Sequence, residues 1–557
     1  MRTITAFAIA IALLIAAAGC GGGGGSNGGG FYGYVPVNPD PNPTTNPTQP
    51  YDKDAVIVTL GGENTAYVDS TDTEAVFRME LGTGWTSKEP DKKGDGGTGL
   101  SPELGKGRGE TVVASFPKND LPKQRIIEFP LYDDNTGERL TSIRIVQKAS
   151  EAPPKEKAWL FITYIAGDNN LCPYQLSNLD SMEKIGSDEN TSIVAFIDAG
   201  AYPDVSGTQW ANTLDWTGAR SFYITKDEEQ YKINSQVLTD YGDDVDSGSA
   251  ATLEKFLTET MRNFPSKYVA LVLNDHGGAY KGSMQDYASG SIISNPELKK
   301  AILNAEKATG RKIDVIGFDA CLMASFESIY ELRGAADYLT VSEELTMATG
   351  WPYESILYAA NNVQIKAIEE VQRKYKSKIS EEVTPELFAQ ITLYMIARNT
   401  FYIPAFAMLD TSVFDDVKEK TDALAKAVLE ATEDNEDLRA EIRAIMLENP
   451  DGTPAIMYGG AGEYGLYDLY NIADSIYTQC ADETVRDAAN ALMEPLSRAI
   501  VYYTNDGDSR PEYKYSYGIS IMASNNDYES VSERYEAHDF VKNTSWLDML
   551  RRLGAVN

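Results

Sequence analysis

One histidine and one cysteine of this chain each follow directly after a short apolar segment. His276 lies in LVLNDHGGAY, and Cys321 lies in VIGFDACLMAS. Both residue types are scarce, because the 557 residues contain two histidines and four cysteines. A cysteine becomes a nucleophile as the thiolate, and a neighbouring histidine supplies the base that forms it. The pair therefore indicates the chemistry of a cysteine hydrolase.

Alternating strand and helix patterns predict the elements that would position these two residues. The predicted strands are 158–167, 191–200, 267–276 and 311–320, and the clearest amphipathic helices between them are 249–264 and 295–310. Strands that are apolar on both faces and alternate with helices are typical of a buried parallel sheet in an α/β fold. Catalytic groups collect at the carboxyl edge of such sheets. His276 and Cys321 are therefore expected at one edge.

A different pattern precedes the α/β region. Residues 53–150 contain short β segments separated by turns rich in Gly, Asp and Lys, which predict a small β-sandwich. The order of GWTSKEP, LSPELGKGRGETVVASFP and RIIEFPLYDDNTGERLTSIRIVQKAS resembles the BACON-type immunoglobulin-like domains of secreted bacterial enzymes. A glycan or a protein could be its ligand. Pro153 and Pro154 mark the boundary to the next domain.

The N-terminus has the layout of a bacterial secretory signal. Residues 1–20 combine Arg2, an apolar run too short to span a membrane and small residues before Cys20. This order resembles a lipobox, which implies lipidation of Cys20 and attachment of an extracytoplasmic protein to the bilayer of the cell envelope. Residues 21–52, rich in Gly, Pro and Asn, predict a flexible linker. The alternative is an ordinary signal peptide and a secreted protein.

Charge and cysteine spacing exclude several other classes. The formal net charge of −34 argues against a nucleic-acid partner and against adhesion to anionic lipid, but suits basic substrates. Beyond Cys20, the remaining cysteines Cys172, Cys321 and Cys480 have no metal-ligand spacing, so no metal site is predicted from them. One disulfide, between Cys172 and Cys480, stays open.

Several segments in order resemble the clostripain family of cysteine peptidases. They are AWLFITYIAGDNNL, ATLEKFLTETMRNFPSKYVALVLNDHGGAY, KIDVIGFDACLMASFESIYELRGAADYLTVSEELTMATGWPY and GISIMASNNDYESVSERYEAHDFVKNTSWLDMLRRL. The resemblance implies a caspase-like αβα sandwich with a mostly parallel sheet over 155–557. Its catalytic core would cover about 155–360, and a helical and C-terminal part about 361–557. The separation of 321 − 276 = 45 residues agrees with the caspase spacing of about 50.

The resemblance implies a role for each matching position. Cys321 would attack the scissile carbonyl, and His276 would protonate the leaving amine and activate water. The backbone N–H groups of Gly277 and Cys321 would bind the oxyanion. Asp319 would lie at the base of the S1 pocket and pair with Arg or Lys at P1. The implied function is a cysteine endopeptidase that acts on proteins or peptides after a basic residue and requires no cofactor.

Two functions from other classes are the alternatives. One is a surface binding or adhesion lipoprotein with an inert peptidase fold, and the intact set of His276, Asp319 and Cys321 argues against it. The other is a cysteine amidase acting on cell-wall material, and the use of Asp319 in recognising a basic residue argues against that. The aspartates of 241–248 could bind Ca²⁺, which some relatives require, although an acidic turn without EF-hand spacing is the simpler interpretation.

Further expectations concern residues around the pair. Cys321 is expected to open a helix in LMASFESIYELRG, whose dipole would favour the thiolate. Lys281 is the sole basic residue of 281–294, where relatives are often cut, so maturation there is not expected. His538, like Cys172 and Cys480, is expected to have a structural rather than a catalytic role. Glu343 and Glu344 could either edge the pocket or be structural.

Overall fold

The structure is a computed structural model. It describes residues 55–87, 99–101, 103–152, 154–201, 203–361, 382–399, 405–448, 457–459, 464–504 and 513–556. The predicted signal peptide, the linker and Cys20 lie outside the described residues.

The described residues between 55 and 152 form two β-sheets that share one core. The sheets have the strand orders β1-β3-β7-β5 and β2-β9-β8-β4-β6 in the numbering given next. The strands are β1 Val56–Val58, β2 Thr65–Val68, β3 Glu74–Met79, β4 Trp85–Thr86, β5 Gly99–Ser101, β6 Leu104–Gly105, β7 Glu110–Ser115, β8 Arg125–Asp133 and β9 Arg139–Gln147. Alternate residues of β3 and β7 point inward, and Phe77 and Val112 meet Phe129 and Ile145 of the other sheet in the core. The arrangement is a β-sandwich, and its immunoglobulin-like relationship stays a prediction.

A nine-stranded sheet carries the α/β region, with the order β13-β12-β11-β10-β14-β17-β18-β19-β22. Its strands are β10 Lys157–Ile165, β11 Thr191–Asp198, β12 Ala219–Tyr223, β13 Gln236–Gly242, β14 Ser266–Asn274, β17 Val315–Asp319, β18 Tyr338–Ser342, β19 Phe406–Asp410 and β22 Ile500–Thr504. The short strands outside it are β15 Ser283–Gln285, β16 Ile292–Ile293, β20 Met457–Tyr458, β21 Leu466–Asp468 and β23 Ser520–Met522.

The sheet is parallel at its centre and antiparallel on both flanks. The five strands from β11 to β18 in the sheet order pair in parallel, whereas β12 and β13 on one side and β19 and β22 on the other pair antiparallel. A parallel pair needs a long crossover connection, and no α-helix of the described chain lies between β11, β12 and β13. The expectation of a mostly parallel sheet therefore holds for the centre only. β19 and β22 also come from the part of the chain expected to be helical.

Helices cover both faces of this sheet. They are α1 Cys172–Glu183, α2 Ala250–Asn263, α3 Asn295–Thr309, α4 Phe326–Glu331, α5 Tyr353–Asn361, α6 Pro385–Asn399, α7 Phe414–Ala431, α8 Glu436–Glu448, α9 Leu469–Gln479, α10 Glu483–Ala499, α11 Tyr528–Glu536, α12 Asp539–Lys542 and α13 Trp546–Leu553. Phe161 of β10 packs with α1, α5 and α6, whereas Tyr164, three residues further along the strand, contacts Phe256 of α2 on the opposite face. None of the helices in the described part of the chain is both long and apolar enough to cross a membrane.

Helix α3 illustrates how local sequence sets an element's ends. Ser294 and Glu297 form a capping box at its start, Pro296 lies in its first turn, and Gly310 ends it in the left-handed conformation at φ 69°. The predicted helix 295–310 is therefore confirmed to within one residue. Because α3 leads directly into β17, this defined end sets where the strand carrying Asp319 begins.

The β-sandwich contacts the edge of the nine-stranded sheet. Lys123 Nζ donates a 2.7 Å hydrogen bond to Thr239 Oγ1 of β13 and lies 3.7 Å from Glu259 Oε2 of α2. Strand β13 is the outermost strand on this side and would otherwise expose unpaired backbone groups. The sandwich therefore lies beside the edge of the sheet where an added strand could pair.

Candidate active site

His276 and Cys321 follow the carboxyl ends of β14 and β17 and lie at the same edge of the sheet. These strands are adjacent and parallel, and their last residues, Asn274 and Asp319, are partners in the register. His276 and Cys321 each follow two residues later. A Cβ atom on Gly277 would lie 2.1 Å from the carbonyl oxygen of Cys321 and 3.0 Å from its nitrogen. Only glycine therefore allows the backbone segments after β14 and β17 to approach this closely.

Cys321 is partly exposed in a turn, and its thiol contacts the loop after β18. The backbone N–H of Thr346 donates to Cys321 Sγ at 3.2 Å, and Thr346 Oγ1 lies 3.5 Å from the same sulfur. The expectation that Cys321 opens a helix is wrong. Leu322 takes a positive φ of 63°, which interrupts helical geometry, and α4 begins only at Phe326. The backbone N–H of Thr346, rather than a helix dipole, therefore faces the sulfur.

The His276 ring is held on its Nε2 side. Nε2 lies 2.7 Å from Oδ1 of Asn170, a residue between β10 and α1. The ring of Tyr287 lies parallel to the imidazole at an angle of 6°, with 6.1 Å between centroids. Burial lowers the pKa of His276 from its ordinary value of 6.5. The imidazole is therefore predominantly neutral at pH 7 and able to accept a proton.

Asp275 fixes the backbone that precedes the histidine. Its buried carboxylate accepts a 2.7 Å hydrogen bond from Asn169 Nδ2 and another from the backbone N–H of Gln285. Burial raises its pKa well above the ordinary range, although these hydrogen bonds act in the opposite direction. The carboxylate thereby ties together the loops on both sides of His276.

The backbone N–H of Gly277 makes no hydrogen bond in the antiparallel pairing between residues 276–278 and 282–284. Gly277 and Ser283 face each other in an isolated antiparallel bridge. The two hydrogen bonds of that bridge belong to the neighbours, from Gly278 N to Gly282 O at 2.9 Å and from Met284 N to the carbonyl of His276 at 3.2 Å. Residues in such a non-hydrogen-bonded pair direct their own N–H groups away from the partner strand. This geometry suits the predicted oxyanion role of Gly277.

Asp319 is buried in a cluster of hydrogen-bond donors. Its Oδ2 accepts from Asn274 Nδ2 at 2.9 Å, from the backbone N–H of Trp351 at 2.9 Å and from the Tyr353 hydroxyl at 2.8 Å. Burial raises the pKa of Asp319 to about 7, against the opposite effect of the Trp351 and Tyr353 hydrogen bonds. A Cβ on Gly350 would lie 2.7 Å from Oδ2, so glycine is needed there.

The segment after β18 connects the nucleophile with this carboxylate. Thr346 reaches Cys321 and Trp351 reaches Asp319, five residues apart on one loop. Leu345 and Met347 on the same loop expose 41% and 45% of their surface, which is unusual for large apolar side chains at a polar site. The loop therefore presents apolar side chains to solvent next to the residue that contacts the thiol.

Glu343 and Glu344 at the start of this loop are buried anchors. Glu343 Oε2 accepts from the backbone N–H of Gly518 at 2.9 Å, and Glu344 Oε2 accepts from the Tyr513 hydroxyl at 3.1 Å. Burial, reinforced by the neighbouring carboxyl of Asp468, raises the pKa of Glu343 well above its ordinary value. Of the two open interpretations, the structural one fits these contacts.

The remaining residues singled out in the sequence have structural surroundings. His538 is buried, and its Nε2 lies 3.1 Å from Asn295 Nδ2. Cys172 and Cys480 are both free thiols, so the disulfide left open between them is absent. The described residues, which include the aspartates of 241–248, contain no group of three or more His, Cys, Asp or Glu side chains able to hold a metal ion.

Sequence reasoning did not find Asn170, Thr346, Trp351 and Tyr353. Asn170 lies 106 residues from His276, and the hydrogen bonds to Asp319 span 32 and 34 residues. The only local signal was that each of these residues falls inside a segment that resembles the family. Their contacts depend on how distant loops meet, which spacing within one segment does not reveal.

The α/β sandwich, with a histidine and a cysteine at adjacent parallel strand ends, defines the class of cysteine hydrolases. The chain belongs to the clostripain family of cysteine peptidases, because the model described as "Clostripain family" matches residues 163–552. The resemblance found in the sequence is thereby confirmed for the α/β region. The match begins beyond 53–150, so the BACON-like relationship of the sandwich stays a prediction.

Known proteins of this family are similar to most of the chain. Clostripain from Hathewaya histolytica is 23% identical over 443 residues, which cover 70% of this chain and 80% of that protein. The inactive zymogen C11 protease from Parabacteroides distasonis is 18% identical with a TM-score of 0.48, over 71% of this chain and 99% of that one. A secreted C11 cysteine protease from Bacteroides thetaiotaomicron, in complex with an irreversible peptide inhibitor, has the same four values.

Proposed function

We propose that this chain is an endopeptidase that cleaves after arginine, or lysine, with Cys321 as nucleophile and His276 as proton carrier. The observation that carries the proposal is the contact between the two strand ends, where the Gly277 position leaves no room for a Cβ against the backbone of Cys321. The backbone beside the imidazole is thereby close to the backbone of Cys321, and a thiol and a neutral imidazole are the two groups that acyl transfer needs.

The reaction follows from the contacts of the two groups. His276 accepts the thiol proton, and Cys321 Sγ attacks the scissile carbonyl carbon. The N–H groups of Gly277 and Cys321 stabilise the oxyanion. When the C–N bond breaks, His276 returns the proton to the leaving amine. Water, deprotonated by His276, then attacks the thioester; the C–S bond breaks, and His276 returns the proton to the Cys321 thiolate, so the chemistry assigned to these side chains uses no cofactor.

Asp319 provides the preference for a basic P1 residue. The described hydrogen bonds of its carboxylate all go to Oδ2, so Oδ1 has no donor among the described residues. A guanidinium can supply that donor in a charge-assisted hydrogen bond. The formal net charge of −34 adds a general attraction for basic proteins.

The protein acts outside the cytoplasm, where a lipid on Cys20 anchors it to the membrane. Small residues before this cysteine and the linker at 21–52 support that location. The Cys20→Ser variant should appear as soluble, still active enzyme and should lose metabolic labelling by fatty acid. Freely secreted, unlabelled wild-type protein would instead support an ordinary signal peptide.

A cleavage assay on a peptide library tests the proposal. Wild-type enzyme should cleave after Arg and Lys, and Cys321→Ala or His276→Ala should reduce kcat/KM by about 10³-fold or more. Cys480→Ser is a matched control, since it removes a buried thiol elsewhere and should leave turnover unchanged. Wild-type turnover by Cys321→Ala, or cleavage after acidic or apolar residues, would overturn the assignment.

A further inference from the structure

The imidazole of His276 has a polar partner that the assigned chemistry does not use. Asn170 Oδ1 lies 2.7 Å from His276 Nε2 and accepts a 3.1 Å hydrogen bond from the Tyr287 hydroxyl. Because the Tyr287 ring also lies parallel to the imidazole, one amide oxygen is in contact with both members of the ring pair. The contact therefore fixes the orientation of the imidazole.

The loop that carries Asn170 is itself held by neighbouring residues. Asn169 Nδ2 donates to the carbonyl of Ala166 at 2.6 Å and to Asp275 Oδ1 at 2.7 Å. The backbone N–H of Tyr287 donates to the carbonyl of Asp168 at 2.8 Å. The loop is thus bonded to the residue before His276 and to the segment that carries Tyr287. Asn170 is therefore placed by the same framework that places the histidine.

The chemistry of an amide oxygen decides which nitrogen carries the proton. Oδ1 is an acceptor only, so Nε2 must donate to it. A neutral imidazole has one N–H, and the hydrogen bond made by one nitrogen determines the state of the other. Nδ1 is then left with its lone pair. An amide does this without adding charge, whereas a carboxylate at the same position would stabilise the imidazolium.

We propose that Asn170 is a positioning residue that holds His276 in the Nε2–H tautomer, so that Nδ1 exchanges protons with Cys321 and the leaving amine. The consequence for turnover rests on the proposed function. The tautomer itself does not, because it is a property of the free enzyme. The two parts can therefore fail separately.

The chain contains two histidines, so the ¹⁵N signals of His276 can be resolved and its tautomer measured directly. In protein labelled with ¹⁵N-histidine, ¹⁵N–¹H correlation spectra at pH 8 distinguish the two tautomers. His276 should give the Nε2–H pattern. His538 should give the opposite Nδ1–H pattern, because its Nε2 faces the Asn295 amide and its Nδ1 faces the carbonyl of Tyr535. The spectrum of His538→Gln assigns the signals. An Nδ1–H pattern for His276 would overturn the proposal.

Substitutions of Asn170 separate positioning from folding. Asn170→Ala should mix the tautomers and lower kcat by about 100-fold with little change in KM, as expected for a misplaced proton carrier. Asn170→Asp keeps the acceptor, so it should retain the Nε2–H pattern and raise the pKa of His276. Asn170→Asp leaves in place Asp275, which precedes His276, Tyr287, whose ring lies parallel to the imidazole, and Cys321 at the adjacent strand end.

The outcomes distinguish the two proposals. An unchanged tautomer and kcat in Asn170→Ala would contradict the positioning role. If Asn170→Ala does not fold, a neutral Nδ1–H pattern in Asn170→Asp would contradict it equally. Full activity of Cys321→Ala would instead contradict the proposed function and leave the tautomer result standing.

Discussion

Burial sets the protonation state of Asp319 and His276 in the free enzyme. It raises the pKa of Asp319 to about 7 and lowers that of His276 below its ordinary value. Near neutral pH, much of the enzyme then has an uncharged carboxyl at Asp319, in the proposed S1 pocket, and a neutral imidazole at His276. A cationic P1 side chain favours the ionised form of Asp319. Selectivity for arginine should therefore depend on pH.

The selectivity ratio between arginine and citrulline at P1 measures this dependence. Citrulline has nearly the same shape without the charge, so titration of Cys321 and His276 cancels in the ratio of kcat/KM values. The ratio should rise with pH through about 7 as Asp319 ionises. In Asp319→Asn the ratio should fall by about 100-fold or more, since breaking a buried pair costs about 3–5 kcal/mol, and should become independent of pH. A flat ratio in wild-type enzyme would contradict the S1 role.

His538 provides a stability prediction that is independent of catalysis. Burial lowers its pKa from 6.5 to about 4, so the folded state favours the neutral imidazole. Its contribution is complete above the unfolded pKa and is lost as pH falls from about 6.5 through about 4. In urea unfolding, the free energy of unfolding of wild-type protein relative to that of His538→Gln should therefore decrease as the pH is lowered through that window. A constant difference would show that His538 stays neutral in both states or ionises in both.

Strand-level patterns account for what could be predicted and what could not. β10, β11, β14 and β17 were predicted because each is apolar on both faces and is fully or almost fully buried. β12 and β13 were not predicted; β13 is half-exposed with many polar residues and lies at the sheet edge. The strand ends therefore located His276 and Cys321. The loops supplying Asn170 and Thr346 could not be placed, since their contacts cross the fold.

Adjacent glycines at the end of β14 allow a matched test of the close approach. Gly277→Ala would place a Cβ 2.1 Å from the carbonyl oxygen of Cys321, whereas the nearest atoms to a Cβ on Gly278 are 3.4 Å away. Displacing the Gly277 N–H should lower kcat by about 10²- to 10³-fold, as loss of an oxyanion donor does. Gly278→Ala should stay near wild type. Equal effects of the two substitutions on peptide hydrolysis would argue against the oxyanion assignment.

Buried carboxyl groups join distant parts of the molecule behind the active site. Glu343 and Glu344 follow β18 and hold segments near 458, 513 and 518 against the loop that contacts Cys321. Asp468 at the start of α9 lies beside Glu343 and has a pKa raised to about 7, also by burial. The C-terminal part of the chain therefore supports the catalytic loop as well as supplying β19 and β22 to the sheet.

The Glu343→Gln variant tests this support across the whole fold. Glu343 has a folded pKa raised above its ordinary 4.5, so its contribution to stability decreases as pH rises from that value. Glutamine resembles the protonated form at every pH. The Tm of Glu343→Gln relative to wild type should therefore increase between pH 5 and pH 9 in calorimetry, with activity retained. A relative Tm that stays constant over this range would mean that Glu343 is already ionised in the folded protein.

Covalent labelling tests the central claim, that Cys321 is the nucleophile of an arginine-directed peptidase. An arginyl chloromethyl ketone should add once to wild-type protein, with peptide mass spectrometry placing the adduct on Cys321 and activity lost in proportion. His276→Ala should label far more slowly, and Cys321→Ala should not label although Cys172 and Cys480 remain. Labelling of another residue in wild-type protein, or full activity after Cys321 is modified, would contradict the account.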